Sequence, residues 1–433
     1  MAVTARLVFL CYYLYILTKK GEFMNIGSVI KYYRLKNNLT QSQLADGICS
    51  ISHLSKIESN TYTPHEETYE ALLLKMGVQL KKELEHQKRL EQQLGRFIDC
   101  ALHYDLDNLH KIYEELLDED DYLQSTDLVN QYELYKFRYY VLDLQMDKAS
   151  AQQKLLEKLK ASFTAPELWM SRFFQALYFT TLGQQKEAMD LMYQLDQGLQ
   201  SIPQKLEGEF YYQKARILIV HDRLELSAYF AERAVRAYEM HHNYIRLLHA
   251  QLLLAINYTR RNLSTQAASL YEVVKRNAYL THQHELYQSV LYNYAELLKN
   301  QKQGNQAFEL FSELKDVVQP GSYIHKAVII NLLELEGISE EETLQLIEQL
   351  RMPGTPKDEE YFNIYSDYYG KREFSQQELL NYKEDKMFPF FKKYGYIKDT
   401  KHLSEELAAH YKEQQDWQKA YYYQTQFLES DGE

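Results

Sequence analysis

Apolar residues follow the three- and four-residue spacing of amphipathic helices along most of the chain beyond residue 25. Leu44, Ile48, Leu54 and Ile57 give two short segments an inward apolar stripe each. Asp46-Gly47 lies between them, where glycine can take the positive φ that often ends a helix. The pattern therefore predicts two short helices joined by a tight turn.

Both short helices carry start signals. Thr40 precedes Gln43 by three residues, the spacing of a capping box, and Ser50 is placed to cap the second helix. The outward face of that second helix carries short or polar side chains: Ser52, His53, Ser55, Lys56 and Ser59. Such a face can approach the edges of DNA bases closely. The alternative is a protein-interaction module in which His53 and Lys56 are merely solvated.

A longer period governs the chain from about residue 170 onward. Alanine follows a short polar break at positions 188, 228, 267 and 307, which are 40, 39 and 40 residues apart. About a dozen positions earlier stand Ala176, Ala215, Ala255 and Ala295. Small residues let two helices approach closely, so the pattern predicts a series of helix pairs.

Composition supports an all-helical chain. Only 15 Gly and 7 Pro in 433 residues, together with 39 Tyr, favour long helices joined by short turns over strands. Three cysteines, at positions 11, 49 and 100, form no CxxC pair and are too few for a disulfide framework. We therefore expect an all-α fold and a reducing, cytoplasmic setting.

Catalytic and metal-binding motifs give little support to an enzyme. The sequence has no Gly-rich phosphate loop, no GxSxG and no HExxH. His241-His242 and His282-Gln-His284-Glu285 lack further ligands at metal spacing. We therefore expect no catalytic activity, no metal and no cofactor.

The first 23 residues differ from the rest. Leu7 to Leu17 is apolar and is followed by Lys19-Lys20, but eleven residues cannot span a bilayer and no small-residue cleavage site follows. We hypothesise that translation starts at Met24, because Lys19 to Glu22 would be encoded by a purine-rich run placed like a bacterial ribosome-binding site. The alternative is a tail that touches a membrane. N-terminal sequencing of the native protein distinguishes the two.

The helix-turn-helix region resembles a known family. Arg34, the run Thr40-Gln41-x-x-Leu44-Ala45 and the run Leu54-x-x-Ile57-Glu58-x-Asn60 look like the Cro/C1-type (XRE-like) repressors. The resemblance implies five short helices over about residues 25 to 84, the second helix of the motif being the one that enters the major groove. Asn60 stands where the family has a turn glycine, and asparagine tolerates that left-handed geometry.

The resemblance also implies roles for individual residues. Those implied to contact DNA are Gln41, at a phosphate, and Ser50, Ser52, His53 and Lys56 on or beside the base-reading helix. Arg34 and Glu58 match a structural ion pair. One residue fewer separates Gln41 from Glu58 than in some phage repressors, so the base-reading register stays open. Residues 24–83 hold seven basic and six acidic residues, whereas the whole chain has a net charge of −12. Because one such weakly basic domain makes few phosphate contacts, we expect it to bind a pseudo-palindromic operator as a dimer.

The later part of the chain is similar to tetratricopeptide repeats. The aromatic wedges would be Trp169, Tyr178, Tyr258 and Trp417, although the forty-residue period exceeds the consensus of about 34. Roughly eight or nine helix pairs would form a right-handed superhelix with a concave face suited to an extended peptide. We divide the chain into an extension at 1–23, a DNA-binding domain at 24–84 and a peptide-sensing domain at 85–433.

The order of the two parts resembles the peptide-pheromone-sensing regulators of Gram-positive bacteria, the Rgg, Rap, NprR, PlcR and PrgX group. The resemblance implies a transcription factor switched by a short signalling peptide in the concave face, acting as a homodimer or higher oligomer without membrane attachment. Side-chain amides and charged groups would hold the peptide, and the candidates are Tyr212, Arg216, Asn257, Arg260, Tyr292, Asn293 and Glu296. The alternative is a Rap-like scaffold that sequesters a response regulator.

Overall fold

The computed structural model describes residues 26–196, 202–335, 338–353, 356–371, 374–394 and 396–429. The predicted extension at 1–23 lies outside these residues. Five helices open the described part, and their bounds are α1 Ile26–Lys36, α2 Gln41–Ala45, α3 Ile51–Glu58, α4 Glu66–Lys75 and α5 Leu80–His103. Helix α5 has 24 residues and is continuous across position 84, so the predicted domain boundary falls inside a helix.

The next nine helices are α6 Leu106–Leu117, α7 Asp120–Leu123, α8 Val129–Leu142, α9 Met146–Leu159, α10 Ala165–Thr181, α11 Gln185–Asp196, α12 Glu207–Val220, α13 Leu224–Met240 and α14 Tyr244–Arg260. The remaining helices are α15 Ser264–Leu280, α16 His284–Asn300, α17 Gly304–Val317, α18 Tyr323–Leu333, α19 Glu340–Leu350, α20 Pro356–Gly370, α21 Gln376–Tyr382, α22 Phe388–Tyr394, α23 Ile397–Glu413 and α24 Trp417–Glu429. Short 3-10 turns at Lys160–Ser162 and Gln204–Leu206 and one π-helical turn at Lys383–Met387 complete the assignment. No strand occurs in the described ranges.

The turns of the repeated region share one backbone conformation. Asp222, His242, Asn262, His282 and Lys302 all have φ between 54° and 58°, and they follow one another at intervals of twenty residues. Each lies in the short turn between two consecutive helices. A single left-handed residue reverses the chain in little space, which is why neighbouring helices can be so closely spaced in sequence.

The predicted alanines lie where the helices pack. All eight, at positions 176, 188, 215, 228, 255, 267, 295 and 307, are buried, with exposed fractions between 0% and 3%. Ser227 adds a polar contact of the same kind, since its hydroxyl donates to the Ala215 carbonyl at 2.8 Å. The alanines of the forty-residue pattern therefore lie at buried, closely packed positions.

The chain forms two compact units, residues 1–257 and residues 258–433. The core of the first unit is continuous from Ile26 in α1 to Ala250 in α14, and it is rich in aromatic rings such as Phe97, Tyr113 and Phe173. The core of the second unit runs from Leu291 to Tyr423. The DNA-contacting candidates all lie in the first unit.

Candidate functional site

The two helices of the helix-turn-helix motif are fixed by their caps. The Gln43 backbone N–H donates to Thr40 Oγ1 at 3.2 Å, and the Thr40 backbone N–H donates to Gln43 Oε1 at 2.8 Å. The His53 backbone N–H donates to Ser50 Oγ at 3.1 Å, so Ser50 is the cap of α3. Gly47 has φ +77° in the connecting turn. The capping box and the turn predicted from the sequence are both present.

A buried ion pair joins α1 to α3. Arg34 donates to Glu58 through Nε at 2.6 Å and through Nη2 at 2.9 Å, and its Nη1 donates to the Leu39 carbonyl at 2.8 Å. Both side chains are at least nine-tenths buried. The Glu58 hydrogen bond, partly opposed by burial, raises the pKa of Arg34, which therefore stays charged. Gln41 Nε2 also donates to Glu58 at 2.8 Å, which holds the start of α2 against the end of α3.

The outward face of α3 is polar and accessible. Ser52 and Lys56 are exposed, whereas Leu54 and Ile57 on the opposite face are fully buried. His53 is partly covered, with its ring 4.7 Å from the ring of Tyr62. Asn60 has φ 54° and closes α3 by donating from Nδ2 to Ser28 Oγ at 2.7 Å. The geometry presents Ser52 and Lys56 together, with His53 beside them.

One carboxylate connects the helix-turn-helix domain to the helices that follow. Glu83, in the first turn of α5, is only 2% exposed. The Tyr33 hydroxyl, from α1, donates to its Oε2 at 2.6 Å, and the Tyr122 hydroxyl, from α7, donates to its Oε1. The Tyr122 ring also packs edge-on against Tyr32, at 5.4 Å. Both carboxylate oxygens of Glu83 are therefore used inside the protein.

Three of the peptide-binding candidates lie in the first unit. Arg216 is exposed and donates to Gln213 Oε1 at 3.1 Å, while Tyr212 packs its ring 4.5 Å from the buried Arg246 guanidinium. Asn257 is 0% exposed, and its Nδ2 donates to the Leu253 carbonyl of its own helix at 2.9 Å. A side chain so completely covered is not accessible to a ligand in this conformation.

The other four candidates lie in the second unit. Arg260 is exposed at the end of α14. Tyr292, Asn293 and Glu296 share the lining of a cavity of about 950 Å³. The Tyr292 hydroxyl donates to Glu296 Oε1 at 3.1 Å, and Asn293 Nδ2 donates to the Ser289 carbonyl at 2.7 Å. A volume near the upper end of the roughly 300–1,000 Å³ range of ligand sites suits a short peptide segment.

Four helices build this cavity, namely α16, α18, α20 and α23. Besides the three candidates, its polar lining includes Lys299, Tyr323, Asn331, Glu334, Tyr361, Tyr365 and Asp399. Lys299 Nζ donates to Asn331 Oδ1 at 2.8 Å and pairs with Glu334. The Tyr361 and Tyr365 hydroxyls both donate to Asp399 Oδ1, at 3.0 and 2.6 Å. Burial, and then Asp399, raises the pKa of Tyr361, so this phenol stays protonated.

The sequence did not single out this second group of residues. Tyr361 and Tyr365 are four residues apart on one helix and therefore lie on the same face, which is a visible signal. Their partner Asp399 lies more than thirty residues away, beyond the regular forty-residue pattern. Only the packing of α20 against α23 shows that the three belong together.

Within the part of the chain that the structure describes, no helix combines the length and apolar character needed to cross a bilayer. The described residues also contain no group of three or more His, Cys, Asp or Glu placed to hold a metal ion.

The class of the N-terminal domain follows from a family comparison. Residues 30–82 match the helix-turn-helix family, and the match covers α2, α3 and α4, most of α1 and the first residues of α5. With helix pairs following, the fold class is all-α, as predicted: a helix-turn-helix domain followed by a tetratricopeptide-like stack of helix pairs.

Particular relatives extend the match beyond this domain. The chain is 23% identical over 416 residues to the transcriptional activator NprA of Geobacillus stearothermophilus, covering 89% of this chain and 99% of NprA. The apo form of the quorum sensor NprR from B. thuringiensis superimposes with a TM-score of 0.64 at 17% identity, covering 79% of this chain and 99% of that one. NprR in complex with its cognate peptide NprX superimposes with a TM-score of 0.53 at 16% identity, covering 80% of this chain and 98% of that one. These similarities confirm the predicted resemblance to the peptide-pheromone-sensing regulators.

Proposed function

We propose that this chain is a transcriptional regulator that binds DNA through its helix-turn-helix domain and is switched by a short signalling peptide bound in its helix-pair region. Two features of one chain support the proposal. The helix-turn-helix is capped and presents an exposed polar face on α3. The chain is also similar to NprA along 99% of that activator's length. The similarity to the NprR–NprX complex supports a peptide as the signal. We place the regulator in the cytoplasm and assign it no catalytic role.

In this proposal α3 enters the major groove, with Ser52 and Lys56 at base edges and His53 beside them. Gln41 stands at the start of α2, where the motif meets a phosphate, and Ser50 fixes the first turn of α3. Arg34 and Glu58 set the angle between helices and do not contact DNA. Because the domain carries little net positive charge, a dimer is needed for tight binding at physiological salt.

The DNA contact is tested by Lys56→Ala, with Lys82→Ala as the control. Both lysines are exposed, but Lys82 lies on α5, outside the motif. Duplexes selected from random DNA by the wild-type protein serve as probes in a mobility-shift titration. Losing one good contact costs about 1–3 kcal/mol, so Lys56→Ala should bind roughly tenfold or more weakly. Equal affinities of the two variants would reject the placement of α3 in the groove.

The switch is proposed to act through the oligomer. A peptide held by several helix pairs favours one arrangement of those pairs, and two protomers then present their α3 helices at a different separation. Half-sites one helical turn apart accept only a matching separation. Analytical ultracentrifugation with and without a binding peptide should therefore show a changed oligomer population, together with a changed DNA affinity.

A further inference from the structure

The cavity between α16, α18, α20 and α23 has a marked chemical character. Its lining holds four tyrosines, Tyr292, Tyr323, Tyr361 and Tyr365, together with the apolar Ile324, Ala327 and Ile330. All of these residues lie in the second unit. Aromatic and aliphatic walls bury the apolar part of a ligand, while the few polar groups between them determine which ligand fits.

The charges of that lining are predominantly negative. Glu285, Glu296, Glu334 and Asp399 contribute four carboxylates, and the basic side chains of the lining are Lys299 and His402. Lys299 is committed to Glu334 and Asn331, so it does not offset the carboxylates on the other helices. An anionic ligand would be repelled from such a cavity, and a cationic one would be attracted.

Asp399 is held by two tyrosine hydroxyls. Tyr361 and Tyr365 both donate to the same oxygen, Oδ1. Oδ2 has no hydrogen-bond partner among the residues that the structure describes. Because both tyrosines remain protonated donors, they fix the orientation of the carboxylate without neutralising its charge.

A fixed carboxylate beside tyrosine rings is the arrangement that proteins use for cationic nitrogen groups. The carboxylate forms a charge-assisted hydrogen bond, and the negative faces of the rings attract the same cation. Both contributions strengthen as water is excluded from the cavity, and neither is available to a neutral or anionic group.

We propose that this cavity binds a cationic nitrogen group of the signalling peptide, either its N-terminal ammonium or a lysine or arginine side chain, with Asp399 as the direct partner. The inference rests on the proposed function, since it assumes that a peptide is bound. The peptide would then carry a cationic nitrogen group, and Asp399 would be the residue that selects it.

The probe is a positional-scanning library of short synthetic peptides. One position at a time is fixed as Lys, Arg, Gln or Glu, and each pool is made with a free and with an acetylated N-terminus. Saturable binding to the full-length protein is measured by competition in fluorescence anisotropy. If the cation is a side chain, pools with Lys or Arg at one position should bind about tenfold or more tightly than the matching Glu pools, the effect of a single charge-assisted contact. If the cation is the N-terminus, acetylation should instead weaken every pool by a similar factor, with no preference for Lys or Arg at any position.

The matched variants are Asp399→Asn and Asp316→Asn. Asparagine keeps an oxygen that can accept from Tyr361 and Tyr365, so the first variant removes the charge and preserves the framework. Asp316 has a side chain 72% exposed and lies outside the cavity lining, so the second removes an equal charge elsewhere in the same unit. Only Asp399→Asn should lose the preference for cationic pools, with unchanged circular dichroism.

The outcomes separate the two proposals. Saturable peptide binding that depends neither on a free N-terminus nor on Lys or Arg at any position, or equal binding by the two variants, overturns the assignment of Asp399 and leaves peptide sensing intact. A complete lack of saturable binding by every pool overturns peptide sensing itself and this inference with it.

Discussion

Glu83 in the first unit and Asp399 in the second are both held by two tyrosine hydroxyls, but the two carboxylates are used differently. Each oxygen of Glu83 accepts one hydroxyl, and the side chain is 2% exposed. Asp399 accepts both hydroxyls on Oδ1 and lines a cavity of about 950 Å³. The same donors thus enclose one carboxylate and leave the other facing open space.

The two arrangements suit the two carboxylates to different roles. A buried group whose acceptor sites are filled contributes to stability and to the relative placement of the elements it connects, here α1, α5 and α7. A carboxylate that accepts its hydrogen bonds on one oxygen and lines a cavity gives up little of that stability and gains the ability to bind a ligand. Substitutions around Glu83 should therefore affect folding, and those around Asp399 should affect recognition.

Glu209 in α12 is the strongest example of an enclosed carboxylate. It is 4% exposed and pairs with Arg138 at 3.2 Å and with Arg246 at 3.0 Å. Tyr104, Gln213 and Tyr238 also donate to it, at 2.8, 2.6 and 3.0 Å. Five side chains, from four helices and from the turn that follows α5, thus converge on one charge.

The largest expected effect is the loss of stability in Glu209→Gln. Two buried guanidinium groups would lose the carboxylate that pairs with both of them, and breaking a buried ion pair from one side costs about 3–5 kcal/mol. Equilibrium urea unfolding monitored by circular dichroism measures it. Glu239→Gln, an exposed change at the end of α13, is the control and should stay within about 0.5 kcal/mol. A loss below about 1 kcal/mol in Glu209→Gln would show that the cluster is solvated.

The Glu209 cluster also predicts that the free energy of unfolding depends on pH. Burial alone would raise the pKa of Glu209, but Arg246 and Arg138, with the hydrogen-bond donors, lower it from 4.5 to about 2. A lowered pKa means that the stabilisation is fully present above about pH 4.5 and is lost as the pH falls toward 2. The difference in unfolding free energy between wild type and Glu209→Gln should therefore shrink between pH 5 and pH 2. A difference that stays constant over that range would contradict the assignment.

Tyr33→Phe tests the enclosed Glu83 with a smaller change. The substitution leaves Oε2 of a buried carboxylate without its donor, which costs about 1–3 kcal/mol. The effect should be local, so hydrogen exchange should accelerate in α1 and in the first turns of α5. Tyr62→Phe is the control, since Tyr62 is 40% exposed and contacts only the His53 ring among its described aromatic neighbours. Equal hydrogen-exchange rates in the two variants would show that Glu83 does not connect the helix-turn-helix domain to the helices that follow.

Local signals made much of the fold predictable. The capping box at Thr40 and Gln43, the turn at Gly47 and the spaced alanines all act within one or two helical turns, and the structure contains each of them. The length of α5 was not predictable in the same way, because no proline or glycine marks where the helix-turn-helix domain ends. Helix continuity there depends on packing on both sides.

The binding residues were less predictable, for a physical reason. Asn257 and Asn293 occupy similar places in amphipathic helices, but Asn257 is fully buried and Asn293 lines the cavity. That difference depends on how neighbouring helices cover each position, which a single helix pattern does not contain. Asp399 was missed because its two tyrosine partners lie on another helix, so the cluster exists only in three dimensions.

The smallest expected effect on stability is that of Asp399→Asn, and this makes it the sharpest test of the comparison. The amide still accepts from Tyr361 and Tyr365, and the lost charge faced the cavity, so the unfolding free energy should change by less than about 1 kcal/mol. Thermal unfolding of the ligand-free protein measures it, with Asp316→Asn as the matched loss of charge. A destabilisation as large as that of Tyr33→Phe would mean that Asp399 is an enclosed structural carboxylate like Glu83. A negligible change, combined with a lost preference for cationic peptides, would place the two carboxylates in different roles.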